Sequence, residues 1–167
     1  MRKYQVPGKK GLESIHKQLE CDPDQQTFAR VDFTPFADGE VDEMRTKGNV
    51  FNTFYGFSAN VLDACDLEFI EPFLTLVYNL AGRNQECMDY LLNWQAQIFQ
   101  RPATPTECMV MVKGPPGTGK DTWVDITEAI MDSSHNYVYR TSVAGEVVGP
   151  FNAAGIDGKI MTVFNEF

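Results

Sequence analysis

The sequence is poor in what metal centres, disulfide scaffolds and membrane anchors require. Its four cysteines, Cys21, Cys65, Cys87 and Cys108, lie far apart and form no Cys-x-x-Cys pair. Its two histidines, His16 and His135, add no metal-ligand spacing. Scattered reduced thiols are therefore expected, and a zinc site is not. No apolar run approaches the ~20 residues of a membrane span. The longest candidates, such as Phe73–Val77, are broken by polar residues. The N-terminus, Met1-Arg2-Lys3-Tyr4-Gln5, leads into polar sequence without the apolar core of a secretory signal. These absences predict a soluble chain in the cytoplasm with no membrane partner.

Basic residues are also scarce, 14 Lys and Arg against 23 Asp and Glu, for a net charge of −9. The imbalance is uneven: residues 1–20 carry +3, residues 21–75 carry −8 and residues 76–167 carry −4. An acidic balance argues against a generic nucleic-acid coat, which needs dense Lys and Arg to displace counterions. It leaves open a contact through a local basic loop. What remains is ordinary globular composition, 43% hydrophobic and 22% charged over 167 residues. That is enough for one compact domain, or one domain with a small helical attachment.

Residues 1–50 form a turn-rich N-terminal segment, punctuated by Pro7-Gly8, Asp22-Pro23-Asp24 and Asp38-Gly39. Within it, the spacing of Leu12, Ile15, His16 and Leu19 predicts a short helix over 11–20. Residues 51–103 are expected to be a helical subdomain. The aromatic stretch Val50–Phe57 opens it as a strand or extended packing segment, with no interleaved basic residue to favour base stacking. Helices follow over 68–80, stopped by Gly82, and from an Asn84 cap to about Gln100. Pro72 fits the first turn of the former helix or marks a break there. Met88, Leu91, Leu92, Gln95 and Phe99 supply one stripe of the second helix, with Trp94 and Ile98 beside it. From 104 onward the pattern becomes α/β. The run Cys108–Val112 reads as a strand buried on both faces, followed by a helix over 119–131 and strands at 137–139 and 160–164.

The turn after the first of these strands reads Gly114-Pro115-Pro116-Gly117-Thr118-Gly119-Lys120-Asp121-Thr122. It fits the G-x-x-x-x-G-K core of a phosphate-binding P-loop, placed between an apolar run and a helix as that motif requires. Glycines let backbone N–H groups turn inward, the helix presents its positive end, and Lys120 supplies a mobile charge for the β- and γ-phosphates. Pro115 and Pro116 have no N–H, so the donors must come from Gly117 through Thr122. The residue after the lysine is normally Ser or Thr, whose hydroxyl ligates magnesium; here it is Asp121, with Thr122 one place later. The last strand runs Ile160–Phe164 into Asn165-Glu166. Glu166 stands where a glutamate activates the attacking water, and Asn165 where an aspartate usually holds magnesium. If these two departures are one event, with a carboxylate moved from strand to loop, formal charge is conserved around a metal at Asp121, Thr122 and Asn165. Alternatively, Asp121 turns to solvent and stabilises the helix N-terminus.

Together these residues resemble a known family. Asn52-Thr-Phe-Tyr-Gly56-Phe57, then Tyr90-Leu-Leu-Asn-Trp94-Gln-Ala96-Gln-Ile-Phe-Gln100-Arg-Pro102, then the loop, are similar to the superfamily 3-type helicase region of phage, plasmid and large-DNA-virus primase-helicases. Val148-Gly-Pro-Phe151-Asn152, Gly158-Lys159 and Asn165-Glu166 extend the likeness, which covers roughly Val50 to the C-terminus. The resemblance implies an AAA+-like P-loop NTPase parallel sheet, truncated after the Walker B strand and preceded by a small helical subdomain. It implies a DNA-replication ATPase that binds ATP and Mg2+ and translocates on single-stranded DNA as a homo-oligomeric ring, usually a hexamer. A fused primase or polymerase domain is common in such proteins, and the cytoplasm would be that of the host cell. On this basis Gly114–Thr122 bind ATP, Lys120 contacts its phosphates, Asn165 helps hold magnesium and Glu166 is the catalytic base.

In that fold the P-loop strand lies between two strands that come later in sequence. Both would fall beyond Phe167, so unpaired edges and marginal stability are expected. Two other readings stand beside the motor. One is a nucleotide-binding remnant without turnover. The other is a P-loop phosphotransferase, which needs lid arginines, whereas only Arg140 lies between the loop and residue 167.

Overall fold

The computed structural model describes residues 5–8, 11–14, 27–36, 49–59, 62, 64, 66–131, 137–149 and 153–165. Glu166, both histidines, Cys21, Cys65, residues 15–20, residues 150–152 and the Asp22-Pro23-Asp24 and Asp38-Gly39 turns lie outside them.

Three small sheets, three long helices and two short ones make up the described chain. Strands β1 (Gln5–Gly8) and β2 (Gly11–Ser14) pair antiparallel, with Gly8 opposite Gly11. Gly11–Ser14 is thus a strand and not the start of the predicted helix. The two glycines flank a two-residue connection, and a local hairpin of this kind takes Leu12 into a strand; Ile15, His16 and Leu19 of the predicted helix lie outside the described residues. Strands β3 (Arg30–Asp32) and β4 (Val50–Asn52) pair parallel. Asn52 fastens the chain beside them: its Oδ1 accepts from the backbone N–H of Thr34 at 2.9 Å and of Phe54 at 3.1 Å, and its Nδ2 donates to the Thr34 carbonyl at 2.7 Å. A buried amide with three partners is a satisfied one.

Helix α1 (Leu67–Leu80) begins where the Asp66 carboxylate accepts the Glu68 N–H at 3.0 Å. Pro72 lies in its second turn, one turn later than predicted, and the helix continues through it. The hydrogen bond that proline removes belongs to the carbonyl of exposed Glu68. At the other end the Gly82 N–H reaches the Asn79 carbonyl and the Arg83 N–H reaches the Tyr78 carbonyl. This paired closure uses the left-handed φ of +68° at Gly82. Helix α2 (Gln85–Gln100) starts on Asn84, whose side chain accepts from the Cys87 N–H at 3.0 Å. Met88, Leu91, Gln95 and Ile98 are its buried residues; of the predicted stripe, Leu92 and Phe99 are only half-buried, and Ile98, expected beside the stripe, belongs to it.

Helix α3 (Lys120–Met131) is followed by strand β5 (Val138–Thr141), short helices α4 (Gly145–Val148) and α5 (Ala153–Ile156), and strand β6 (Met161–Phe164). β5 and β6 pair parallel, from Val138 opposite Met161 to Thr141 opposite Phe164.

Three apolar clusters share residues and so form one connected core. Val77, Met88, Leu91 and Trp123 join α1, α2 and α3; Ile98, Met131 and Val138 join α2 and α3 to the β5–β6 sheet. Trp94 packs in both. Phe36, Phe54 and Tyr137 form the third cluster, linked to the second through Phe57 and Ile160. Phe54 is completely buried, with ring contacts to Phe33, Phe36, Phe57 and Tyr137. The aromatic stretch therefore packs a core, and the Tyr137 hydroxyl accepts the Tyr55 N–H at 2.8 Å at its margin.

The predicted buried strand at Cys108–Val112 takes a different form. Cys108, Met109 and Met111 are exposed, and Val110 and Val112 are half-buried against the first cluster. Residues 109–113 make no backbone ladder hydrogen bond among the described residues. The segment is extended and one-sided. Burial on both faces requires neighbouring strands, and among the described residues the sheet formed by β5 and β6 does not extend to this segment.

Candidate phosphate-binding loop

The loop at 114–119 leads directly into α3, and three sets of contacts place it. Trp94 of α2 donates its indole N–H to the Cys108 carbonyl at 3.4 Å, and Gln97 donates to the Pro105 carbonyl at 3.5 Å, so α2 guides the approach. Leu76 of α1 packs beneath Gly119, where an added Cβ would stand 2.4 Å from Leu76 Cδ1. That methyl can rotate away; the stricter demand at Gly119 is its φ of +85°. Gly117, with a φ of +78°, imposes the same demand with open space around it. Both positions suit glycine because a side chain disfavours the left-handed region.

Helix α3 runs 12 residues from Lys120, and its first bond joins the Trp123 N–H to the Gly119 carbonyl at 3.0 Å. Its first-turn N–H groups therefore point back at the loop. The Lys120 ammonium folds over the same loop, donating to the Gly114 carbonyl at 2.9 Å, the Pro115 carbonyl at 2.8 Å and Thr118 Oγ1 at 3.2 Å. Thr118 in turn donates its hydroxyl to the Pro115 carbonyl at 2.9 Å. The loop is thus divided. Gly114 and Pro115 supply acceptors for the lysine, and the donors for an anion lie from Gly117 onward.

Asp121 and Thr122 are exposed in the first turn of α3. Among the described residues their side chains have no hydrogen-bond or ion-pair partner. Asn165 follows β6, is exposed, and donates its backbone N–H to the Thr141 carbonyl at 2.9 Å. No hydrogen bond joins it to the loop among the described residues. Gly114–Thr122 are therefore brought together as one unit, whereas Asn165 stands at the end of β6 and Glu166 lies outside the described residues. Among the described residues no three His, Cys, Asp or Glu side chains group to hold a metal. The backbone donors of the loop and the Lys120 ammonium fit a phosphate.

Three residues in or beside the loop have partners that the sequence did not show. Gln95 is buried, accepts the Trp123 indole N–H at 3.2 Å and donates to Thr127 Oγ1 at 2.8 Å, which bolts α2 to the loop helix. Arg140 of β5 donates to Asp125 at 2.6 Å and to Glu128 at 2.9 Å through Nε, which ties the sheet to the opposite side of α3. Thr118 is the third, as the polar bridge between Pro115 and Lys120. Chain length between partners hides the first two; the third was expected for its backbone N–H among the phosphate donors, and the spacing gave no sign of its hydroxyl bridge.

A scan against protein-family models and searches of curated proteins and solved structures found no match. Among the described residues no helix is long and apolar enough to cross a membrane.

Proposed function

We propose that this chain is a nucleotide-binding module, the ATP-binding region of a replicative DNA helicase motor that works as a ring on single-stranded DNA. One observation carries the nucleotide reading: two left-handed glycines and a folded-in lysine sit at the start of a 12-residue helix. That arrangement concentrates N–H donors and positive charge where a phosphate chain would lie. The motor, its ring and its DNA track rest on the resemblance in Asn52–Phe57, Trp94–Pro102 and the loop.

In this reading Gly117–Thr122 hold the phosphates and Lys120 neutralises them. Magnesium would arrive as the companion of ATP, with Asp121, Thr122 and Asn165 as candidate ligands and Glu166 as the base. The phosphotransferase alternative loses support because Arg140 is engaged by Asp125 and Glu128 and is not available as a lid. Nucleotide binding without turnover remains the second reading, favoured by the lack of any bond between Asn165 and the loop among the described residues.

Equilibrium binding of a fluorescent ATP analogue tests the proposal. Saturable binding that Lys120→Met weakens at least tenfold supports the nucleotide site; no binding by the unaltered chain rejects it. DNA-stimulated phosphate release then separates the motor from the binding module.

A further inference from the structure

We propose that Thr118 is the latch of the loop, holding Lys120 against its own backbone and so setting the affinity for nucleotide. The inference rests on Gly114–Thr122 being a nucleotide site, and it concerns how that site is regulated from within.

A lysine ammonium has three N–H donors and no acceptor. All three are matched inside the loop, by the carbonyls of Gly114 and Pro115 and by Thr118 Oγ1. A phosphate oxygen gains an N–H from Lys120 only when one of these acceptors lets go. The two carbonyl bonds are short, at 2.9 and 2.8 Å, and the Thr118 bond is the longest, at 3.2 Å. Thr118 is also the one acceptor held by a side chain. Its own hydroxyl proton is committed to the Pro115 carbonyl at 2.9 Å, which turns the oxygen lone pairs toward the ammonium. The bond to Thr118 is therefore the one that yields when phosphate enters.

Loss of the hydroxyl leaves the two carbonyls to hold the lysine in the loop and releases one N–H for phosphate. The same loss removes a competitor and leaves the backbone donors of Gly117–Thr122 in place. Thr118 thereby acts as a positioning residue through Lys120. Proline at 115 suits this division, since its carbonyl accepts both from Lys120 and from Thr118 while it has no N–H to offer an anion.

The test is binding of a fluorescent ATP analogue, with magnesium, to the full chain and to Thr118→Val, Thr118→Ser and Thr118→Ala. Valine keeps the shape and loses the hydroxyl, and is expected to bind about three- to tenfold more tightly, the range of one ordinary hydrogen bond. Serine restores the hydroxyl and is expected to return to the affinity of the unaltered chain, a rescue that a purely steric role would not produce. Alanine is expected to follow valine and decides the matter if valine disturbs folding. Equal or weaker binding by a folded valine or alanine variant overturns the latch while leaving the nucleotide site standing. No binding by the unaltered chain overturns both.

Discussion

The Trp123 indole N–H donates to Gln95 Oε1 at 3.2 Å, and both side chains are buried between α2 and α3. Trp123 is three residues beyond Lys120, so this bond fixes the rotation of the turn that presents the lysine. Thr127 completes the arrangement, accepting from Gln95 and donating to the Trp123 carbonyl at 2.8 Å. The helix that precedes the loop and the helix that follows it are thereby one mechanical piece, with polar partners in an otherwise apolar contact.

Replacing Gln95 with leucine is expected to destabilise the chain even though volume is nearly conserved. The Trp123 indole would lose its acceptor in a buried place, at a cost of about 1–3 kcal/mol. Urea unfolding followed by tryptophan fluorescence measures it. An unchanged midpoint would show that the indole finds another acceptor and that the pair does not fix α3.

A second expectation concerns acid. Thr141 and Tyr139 both donate hydroxyls to Glu146 Oε2, at 2.5 and 2.8 Å. Those donors, Thr141 foremost, favour the ionised carboxylate and hold Glu146 below its ordinary value. A carboxylate with a lower pKa in the folded state binds fewer protons there than in the unfolded state. Its contribution is present above the unfolded value, ~4.3, and is lost as pH falls through the folded one. Thermal melts taken from neutral pH downward should show Glu146→Gln losing less stability on acidification than the unaltered chain. Parallel curves would sink this account.

Asp121 offers a direct choice between two roles. It lies in the first turn of α3, exposed, and among the described residues it belongs to no group of three His, Cys, Asp or Glu side chains. The helix-end role predicts that Asp121→Thr lowers the melting temperature slightly, that salt diminishes the difference, and that the magnesium dependence of nucleotide binding stays the same. A changed magnesium dependence would instead place the carboxylate at the metal.

What the sequence disclosed and what it hid divide along chain separation. The Asn84 cap and the Gly82 stop are local, decided by neighbours within one or two turns, and stand where the spacing put them; of the stripe on α2, Met88, Leu91 and Gln95 are buried as expected. The two left-handed glycines belong to the same class. Arg140 shows the opposite case, because its role depends on β5 passing Asp125 and Glu128, 15 and 12 residues earlier. Gln95 read as one member of an apolar stripe, since its partners lie 28 and 32 residues away. Gly11–Ser14 misled because four residues are too few for a helical period to be told from a hairpin arm. Cys108–Val112 misled differently: an apolar run reports which side chains avoid water, and only the presence of neighbouring strands determines whether both faces are covered.

That last segment yields the sharpest expectation about behaviour in solution. Met109 and Met111 are 67% and 68% exposed, on an extended stretch whose backbone donors and acceptors make no ladder among the described residues. Val110 and Val112 face the other way, into the cluster around Val77, Met88, Leu91 and Trp123. An apolar extended segment with unpaired backbone is a template for pairing with another chain. The chain is therefore expected to self-associate in a concentration-dependent manner, visible as a rising mean mass in sedimentation velocity. The double variant Met109→Lys, Met111→Lys places two charges on the outward side and leaves both valines in place. It is expected to stay monodisperse at concentrations where the unaltered chain grows, with little change in unfolding midpoint. A single sedimenting species and one sharp, cooperative unfolding transition for the unaltered chain would show instead that this edge is covered, and the description of Met109–Lys113 as unpaired would have to be abandoned.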